Sequence, residues 1–179
     1  MVLSRGTRDT VYLAIVGTQL FGMLVLDLVS LYPKSLWESP SAPLHFLTSL
    51  REAYVSMTGD PFFAASTHEP WFEAFLYLEA AVQLPLTAYL ARSLSAARNA
   101  ATTELSGLVY GTMTATTSAA TCYHLWQLGE DVVSRQDKAL ILYGEYVPFV
   151  IIPLIMAIDM YQRLLVRLDS VPAPAKKQQ

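Results

Sequence analysis

Three carboxyl-bearing residues interrupt stretches that are otherwise apolar. Asp27 stands in TVYLAIVGTQLFGMLVLDLVSLY, Glu79 in WFEAFLYLEAAVQLPLTAYLA, and Glu145 in LILYGEYVPFVIIPLIMAIDMYQ. A carboxylate facing lipid costs about 3 kcal/mol at the centre of a spanning helix, so such residues turn inward and mark sites. Two carboxyls held close in a low-dielectric space do not readily both ionise, and the pair tends to share a proton. Such a pair has two uses. It binds a cationic amine as ion-pair partner, or it donates and removes a proton at a carbon centre. The residues alone leave both open.

The elements that must hold these groups follow from length and hydropathy. The chain has 179 residues, of which 53% are hydrophobic and 15% charged, with a mean hydropathy of +0.35. Four stretches approach the roughly 20 apolar residues that cross a bilayer: 10–32, 71–91, 105–127 and 140–162. The third is weakly apolar and rich in Thr, Ser, Ala and Gly. Between the first two, Leu44, Leu47, Leu50, Tyr54 and Met57 recur at helical spacing behind Ser41 and Pro43, which predicts a short amphipathic helix. The fold class is an all-α integral membrane protein, a four-transmembrane-helix bundle with a short lumenal amphipathic helix. Residues 1–9 form a cytosolic N-terminus, 10–167 the transmembrane domain and 168–179 a cytosolic tail.

Charge sets the orientation. Eight of the twelve Lys and Arg residues lie at the two termini and in the 92–98 loop, which places both termini in the cytosol by the positive-inside rule. The net charge of −3 carries no basic block, which argues against nucleic acid. The one cysteine, Cys122, excludes an internal disulfide, and no metal site or cofactor is expected. Lys176 and Lys177, third and fourth from the end, match a dilysine signal for retrieval to the endoplasmic reticulum; a solvated basic tail is the plainer alternative.

Helical rise then gives depth. At about 1.5 Å per residue, Asp27, Glu79 and Glu145 lie roughly 8–12 Å below the lumenal ends of their spans. His124 falls in the same slab, or else sits in the interfacial aromatic belt beside Trp126. Glu145 is also near enough to its helix start to act as a dipole partner. Asp159, near the cytosolic end, is expected either to snorkel or to pair with Arg163 one turn on. Pro85, Pro148 and Pro153 bend their helices and free carbonyls, as is tolerated beside a cavity. Tyr77, Tyr110, Trp126, Tyr146 and Phe149 offer flat walls. Thr112, Thr114, Thr116 and Thr117 with Gly107 and Gly111 permit close helix approach.

The order LDLVSLYP, GDPFF, EPWFEAFLYLEAAVQLP, a Thr-rich span and EYVPFVIIP resembles the EXPERA family of four-helix membrane proteins, and within it the sigma-2-receptor-like branch rather than the sterol isomerase branch. The likeness runs from about residue 10 to 162. It implies a bundle of the endoplasmic reticulum whose pocket opens laterally to the bilayer and takes a sterol or a lipophilic amine. By position, Asp27 is similar to the amine-contacting aspartate and Glu79 to the glutamate bonded to it. Gln83, Thr116, Tyr146 and Phe149 correspond to pocket positions. Gln19 stands where the family commonly has a histidine that the isomerases need, and Glu145 adds a carboxyl foreign to the sigma-2-like pattern, with His124 a candidate relay. The leading expectation is therefore a sterol- or lipophilic-amine-binding membrane protein. The alternative is an isomerase or cyclase of a sterol or terpenoid, with Glu79 or Glu145 as acid and Asp27 as base. A third reading, a trafficking chaperone, leaves the acids to folding alone. Membrane lipid is the surrounding partner, and the small residues of the third span are compatible with a homodimer.

Overall fold

The computed structural model describes residues 4–65, 68–98 and 100–170, and every regular element among them is helical. Helix α1 (Arg5–Val25) starts where the Ser4 hydroxyl accepts the Thr7 N–H, satisfying one of the orphan donors of the first turn. It tightens into a 3₁₀ segment over Asp27–Leu31 and stops at Tyr32, which takes the extended backbone imposed by Pro33. Helix α2 (Phe46–Thr58) lies close to the predicted amphipathic segment and ends in Gly59, whose φ of 68° is left-handed. Asp60 then caps the single turn α3 (Pro61–Ala64) by accepting the Phe62 N–H at 2.8 Å.

The next apolar stretch is an interrupted helix. Helix α4 (Pro70–Leu78) and helix α5 (Leu84–Ser95) are joined by a wide π turn over Glu79–Gln83. The last stretch repeats the device: α7 (Arg135–Ile141), a π turn over Leu142–Tyr146, then α8 (Val147–Asp169). Between them runs α6 (Ala101–Gln127). Pro85 and Pro148 explain both wide turns. A proline has no N–H to give and its ring crowds the carbonyl four residues back, here Ala81 and Gly144. Opening the turn by one residue relieves the crowding. The residue before each proline then bonds five back, Leu84 to the Glu79 carbonyl and Val147 to that of Leu142.

Three helical stretches are long and apolar enough to cross a membrane: Arg5–Leu31, Pro70–Ser95 and Arg135–Asp169. The expected fourth, α6, has the length but not the hydropathy, because of its threonines. Thr112, Thr116, Thr117 and Thr121 each turn the hydroxyl back onto the carbonyl four residues earlier, so the helix absorbs much of this polarity itself.

Two features lock the helices together. At one end, Glu104 of α6 accepts Arg5 of α1 at 2.9 Å and Arg167 of α8 at 3.1 Å. Asp159, paired with Arg163 at 2.6 Å, also takes Arg8, and Arg163 reaches Asp9 at 2.7 Å. This cross-link sets the first residues of α1 beside the last turns of α8. The second feature is the close crossing of α6 over α8. A Cβ on Gly111 would collide with the Pro153 carbonyl oxygen and come within 3.0 Å of the Ala157 nitrogen, both backbone atoms that cannot swing aside. A side chain there forces the helices apart. Gly111→Val is expected to cost about 1–3 kcal/mol, read as a lowered thermal midpoint in detergent. Gly17→Ala, where a Cβ meets nothing within 4 Å, should leave the midpoint unchanged or slightly raised.

Candidate functional site

A cavity of about 470 Å³ lies between the helices at the end away from the ion-pair cross-link. That size suits a small hydrophobic ligand. Its walls include Phe21 from α1, Phe72 and Phe75 from α4, and Phe149 from α8, with Thr18, Thr117, Ser118 and Thr121 between them. The short α2–α3 segment also contributes, through Tyr54 and Phe63. Asp27, Glu79 and Glu145 all line this one cavity.

The prolines account for two of the three placements. Glu79 opens the first π turn and Gln83 closes it, and both side chains reach the cavity. Glu145 and Tyr146 sit in the second π turn and do the same. Asp27 begins the 3₁₀ segment after α1, where the backbone has already left α-helical winding. It lines the same cavity as Glu79.

The other expected pocket residues divide. Gln19, Gln83, Tyr146 and Phe149 line the cavity. Gln83 is buried and donates to Thr114 Oγ1 at 2.7 Å, a bond that fixes α6 against the π turn. Tyr110 is fully buried behind the wall and gives its hydroxyl to Gln19 Oε1. Three expectations need correction. Thr116 is exposed and folds its hydroxyl onto Thr112, whereas Thr117 and Thr121 line the cavity; a step of one residue turns a helical side chain by about 100°. His124 is not at the cavity. It packs on Trp71 and Phe62 and lies 3.9 Å from Glu69. Tyr77 and Trp126 point outward, at 56% and 63% exposure.

The sequence reading missed Tyr54 and Asp60 as site residues. Tyr54 lines the cavity, and its hydroxyl lies 2.6 Å from Glu145 Oε2 and 3.0 Å from Asp60 Oδ2. Tyr146 donates to the same Asp60 oxygen at 2.9 Å. The signal was present in GDP: an aspartate before Pro in a turn is a ready cap for the helical turn that follows. That it would be wholly buried against a transmembrane tyrosine was not legible.

Burial pushes the Asp60 carboxyl above the ordinary aspartate range, although the Phe62 N–H and the Tyr146 and Tyr54 hydroxyls pull the other way. Burial, with Asp60 and Glu145 alongside, holds the Tyr54 phenol far up, so its proton stays on. The linkage has a definite sign. A carboxyl raised in the folded state binds more protons folded than unfolded, so its contribution is full below about pH 3.9 and is lost as pH rises toward the raised value. Asp60→Asn keeps an oxygen for the Phe62 N–H and removes this term. The variant's thermal midpoint is expected to fall less steeply than the wild type's as pH is raised above about 4.

No curated protein matches the chain. Residues 46–160, more than half of its length, match the model of a protein family described as EXPERA (EXPanded EBP superfamily), a stretch that takes in Tyr54, Asp60, Glu79 and Glu145 and begins after Asp27. The chain, with three helices apolar enough to span a membrane, belongs to the EXPERA family.

Proposed function

We propose that this protein is a receptor for sterols and lipophilic amines in the membrane of the endoplasmic reticulum, with Asp27 and Glu79 acting as one proton-sharing acidic pair. The observation that supports the reading is that both residues line one cavity of about 470 Å³, whose walls include Phe21, Phe72, Phe75 and Phe149. An apolar chamber with one acidic corner matches a molecule that is greasy over most of its length and carries one basic or hydroxyl group. Membership of the EXPERA family supports a sterol-binding or isomerase type of protein. Binding is favoured over isomerisation at Gln19, which accepts a hydroxyl from Tyr110 and has no titratable group to move a proton. In this reading α6 is the fourth span, both termini are cytosolic, and the sigma-2-like branch is the nearer one.

The test is twofold. Asp27→Asn and Glu79→Gln are each expected to weaken binding of a lipophilic amine at least tenfold, the loss of about 1.5–3 kcal/mol that a charge-assisted hydrogen bond carries, with expression and thermal midpoint retained. Mass spectrometry of lipid extracted from purified protein, before and after incubation with candidate sterols, should return the sterol unchanged. A product of equal mass and altered retention time would replace this reading with an isomerase or cyclase.

Lys176 and Lys177 lie outside the described residues, and their role as a retrieval signal belongs to the same proposal. Replacing both with Ser is expected to move a fluorescent fusion from the endoplasmic reticulum to later compartments. Unchanged location would remove the signal from the account.

A further inference from the structure

Asp60, Tyr54 and Glu145 form a row whose protons can be counted. The Tyr54 hydroxyl has one proton and touches two carboxyls, Glu145 Oε2 at 2.6 Å and Asp60 Oδ2 at 3.0 Å. It can donate to only one of them. The other contact is a hydrogen bond only if that carboxyl supplies the proton. The groups around the row offer no substitute. Among the described residues no lysine or arginine forms an ion pair with Asp60 or Glu145, and Asp27, in the 3₁₀ segment after α1, is itself acidic. Arg51 of α2 is engaged by the Phe63 and Ala65 carbonyls, Asp137 of α7 stands against Gly59, and Tyr146 already gives its proton to Asp60.

The contact lengths and the burial agree on where the extra proton lies. The 2.6 Å contact falls in the range of a hydroxyl facing a carboxylate, whereas those at Asp60, 2.9 and 3.0 Å, are those of neutral groups. Asp60 has no exposure, while Glu145 opens on the cavity. On these lengths the order is Tyr146 O–H to Asp60, Asp60 O–H to Tyr54, Tyr54 O–H to the Glu145 carboxylate.

We propose that Tyr54 carries a proton between Asp60 and Glu145, so that Glu145 forms a second pole of the cavity whose charge follows the ligand. A cationic amine is met by the Glu145 carboxylate. When an uncharged ligand fills the chamber and excludes water, the Asp60 Oδ2–H bond breaks and its proton passes to Tyr54 Oη. The proton that Tyr54 held passes to Glu145 Oε2. Glu145 is then neutral and the charge rests on Asp60, where Tyr54, Tyr146 and the Phe62 N–H all donate to it. Two protons move one bond each, and the net charge is unchanged. The proposal rests on the cavity being the ligand chamber, and it adds to the Asp27–Glu79 pair a second pole on the α7–α8 side.

Infrared difference spectra of the full chain in nanodiscs read the carboxyl stretch directly, with ¹³C labelling of Asp or Glu side chains to assign it. Exchanging N,N-dimethyldodecylamine for cholesterol is expected to move one protonated-carboxyl band from an aspartate to a glutamate, with no proton released to or taken from the medium. Tyr54→Phe keeps the ring against Phe63 and, compared at probe concentrations where bound probe is verified by mass spectrometry, is expected to lose that movement; Glu145→Gln should lose it too. A movement that survives in Tyr54→Phe, or wild-type protein that binds both probes without one, overturns the relay. Wild-type protein that takes up neither probe defeats the proposed function, and the ligand-free spectra then decide the relay. A protonated aspartate band that shifts in Tyr54→Phe supports it, and identical spectra overturn it.

Discussion

A carboxyl group at membrane depth must be given hydrogen-bonding partners by the protein, because the surrounding lipid has none to offer. That constraint explains more of this molecule than its hydrophobic packing does. Lipid tails are as apolar as leucine side chains, so apolar burial does little to choose which helix faces meet. The polar groups make that choice. Gln83 finds Thr114, Gln19 finds Tyr110, and Glu145 finds Tyr54. Each contact joins two different helices, and the cavity is the space left between them.

Backbone chemistry supplies the second half of the explanation. Prolines at 85 and 148 have a strong conformational effect on the residues just before them, and in both helices those residues include a glutamate. The widened turn leaves carbonyls without their usual N–H partners, a cost that is bearable only beside other polar groups. Acid and proline therefore occur together for a physical reason. The wide turn displaces the side chains from the regular helical stripe, and the polar cavity solvates the backbone that the proline has exposed. Asp27 meets the same condition by another route, through the tightened winding ahead of Pro33.

Much of this could be read from the sequence because membrane helices announce themselves by length and hydropathy, and acids within them announce themselves by cost. The approximate extents of three spans and the convergence of Asp27, Glu79 and Glu145 on one space follow from those two rules. What was illegible turns on angle rather than depth. Helical depth changes by 1.5 Å per residue but direction by about 100°, so Thr116 and Thr117 share a level while only one faces the cavity. His124 has a suitable depth and the wrong azimuth. Tyr54 and Asp60 escaped for a different reason: they lie in a connecting segment, and hydropathy says nothing about where a short amphipathic helix folds down. Nor does composition separate a span from a long polar helix when, as in α6, threonine hydroxyls bond back to their own backbone.

The two ends of the bundle answer the same electrostatic problem in opposite ways. Around Glu104 and Asp159 the acids are matched with Arg5, Arg8, Arg163 and Arg167, whose guanidinium groups stay charged at any accessible pH. Such an arrangement has one protonation state and therefore one geometry, which suits an anchor for helix ends. Around the cavity Asp60 and Glu145 are matched with phenols, which are neutral partners that can accept one proton as they give up another. Replacing those phenols with arginines would satisfy the carboxylates better and would make the chamber inert, since a paired carboxylate has nothing left for a ligand. Under the proposed function, the end that binds is the end where neutralisation has been left to protons, because only a proton can move aside when an amine arrives.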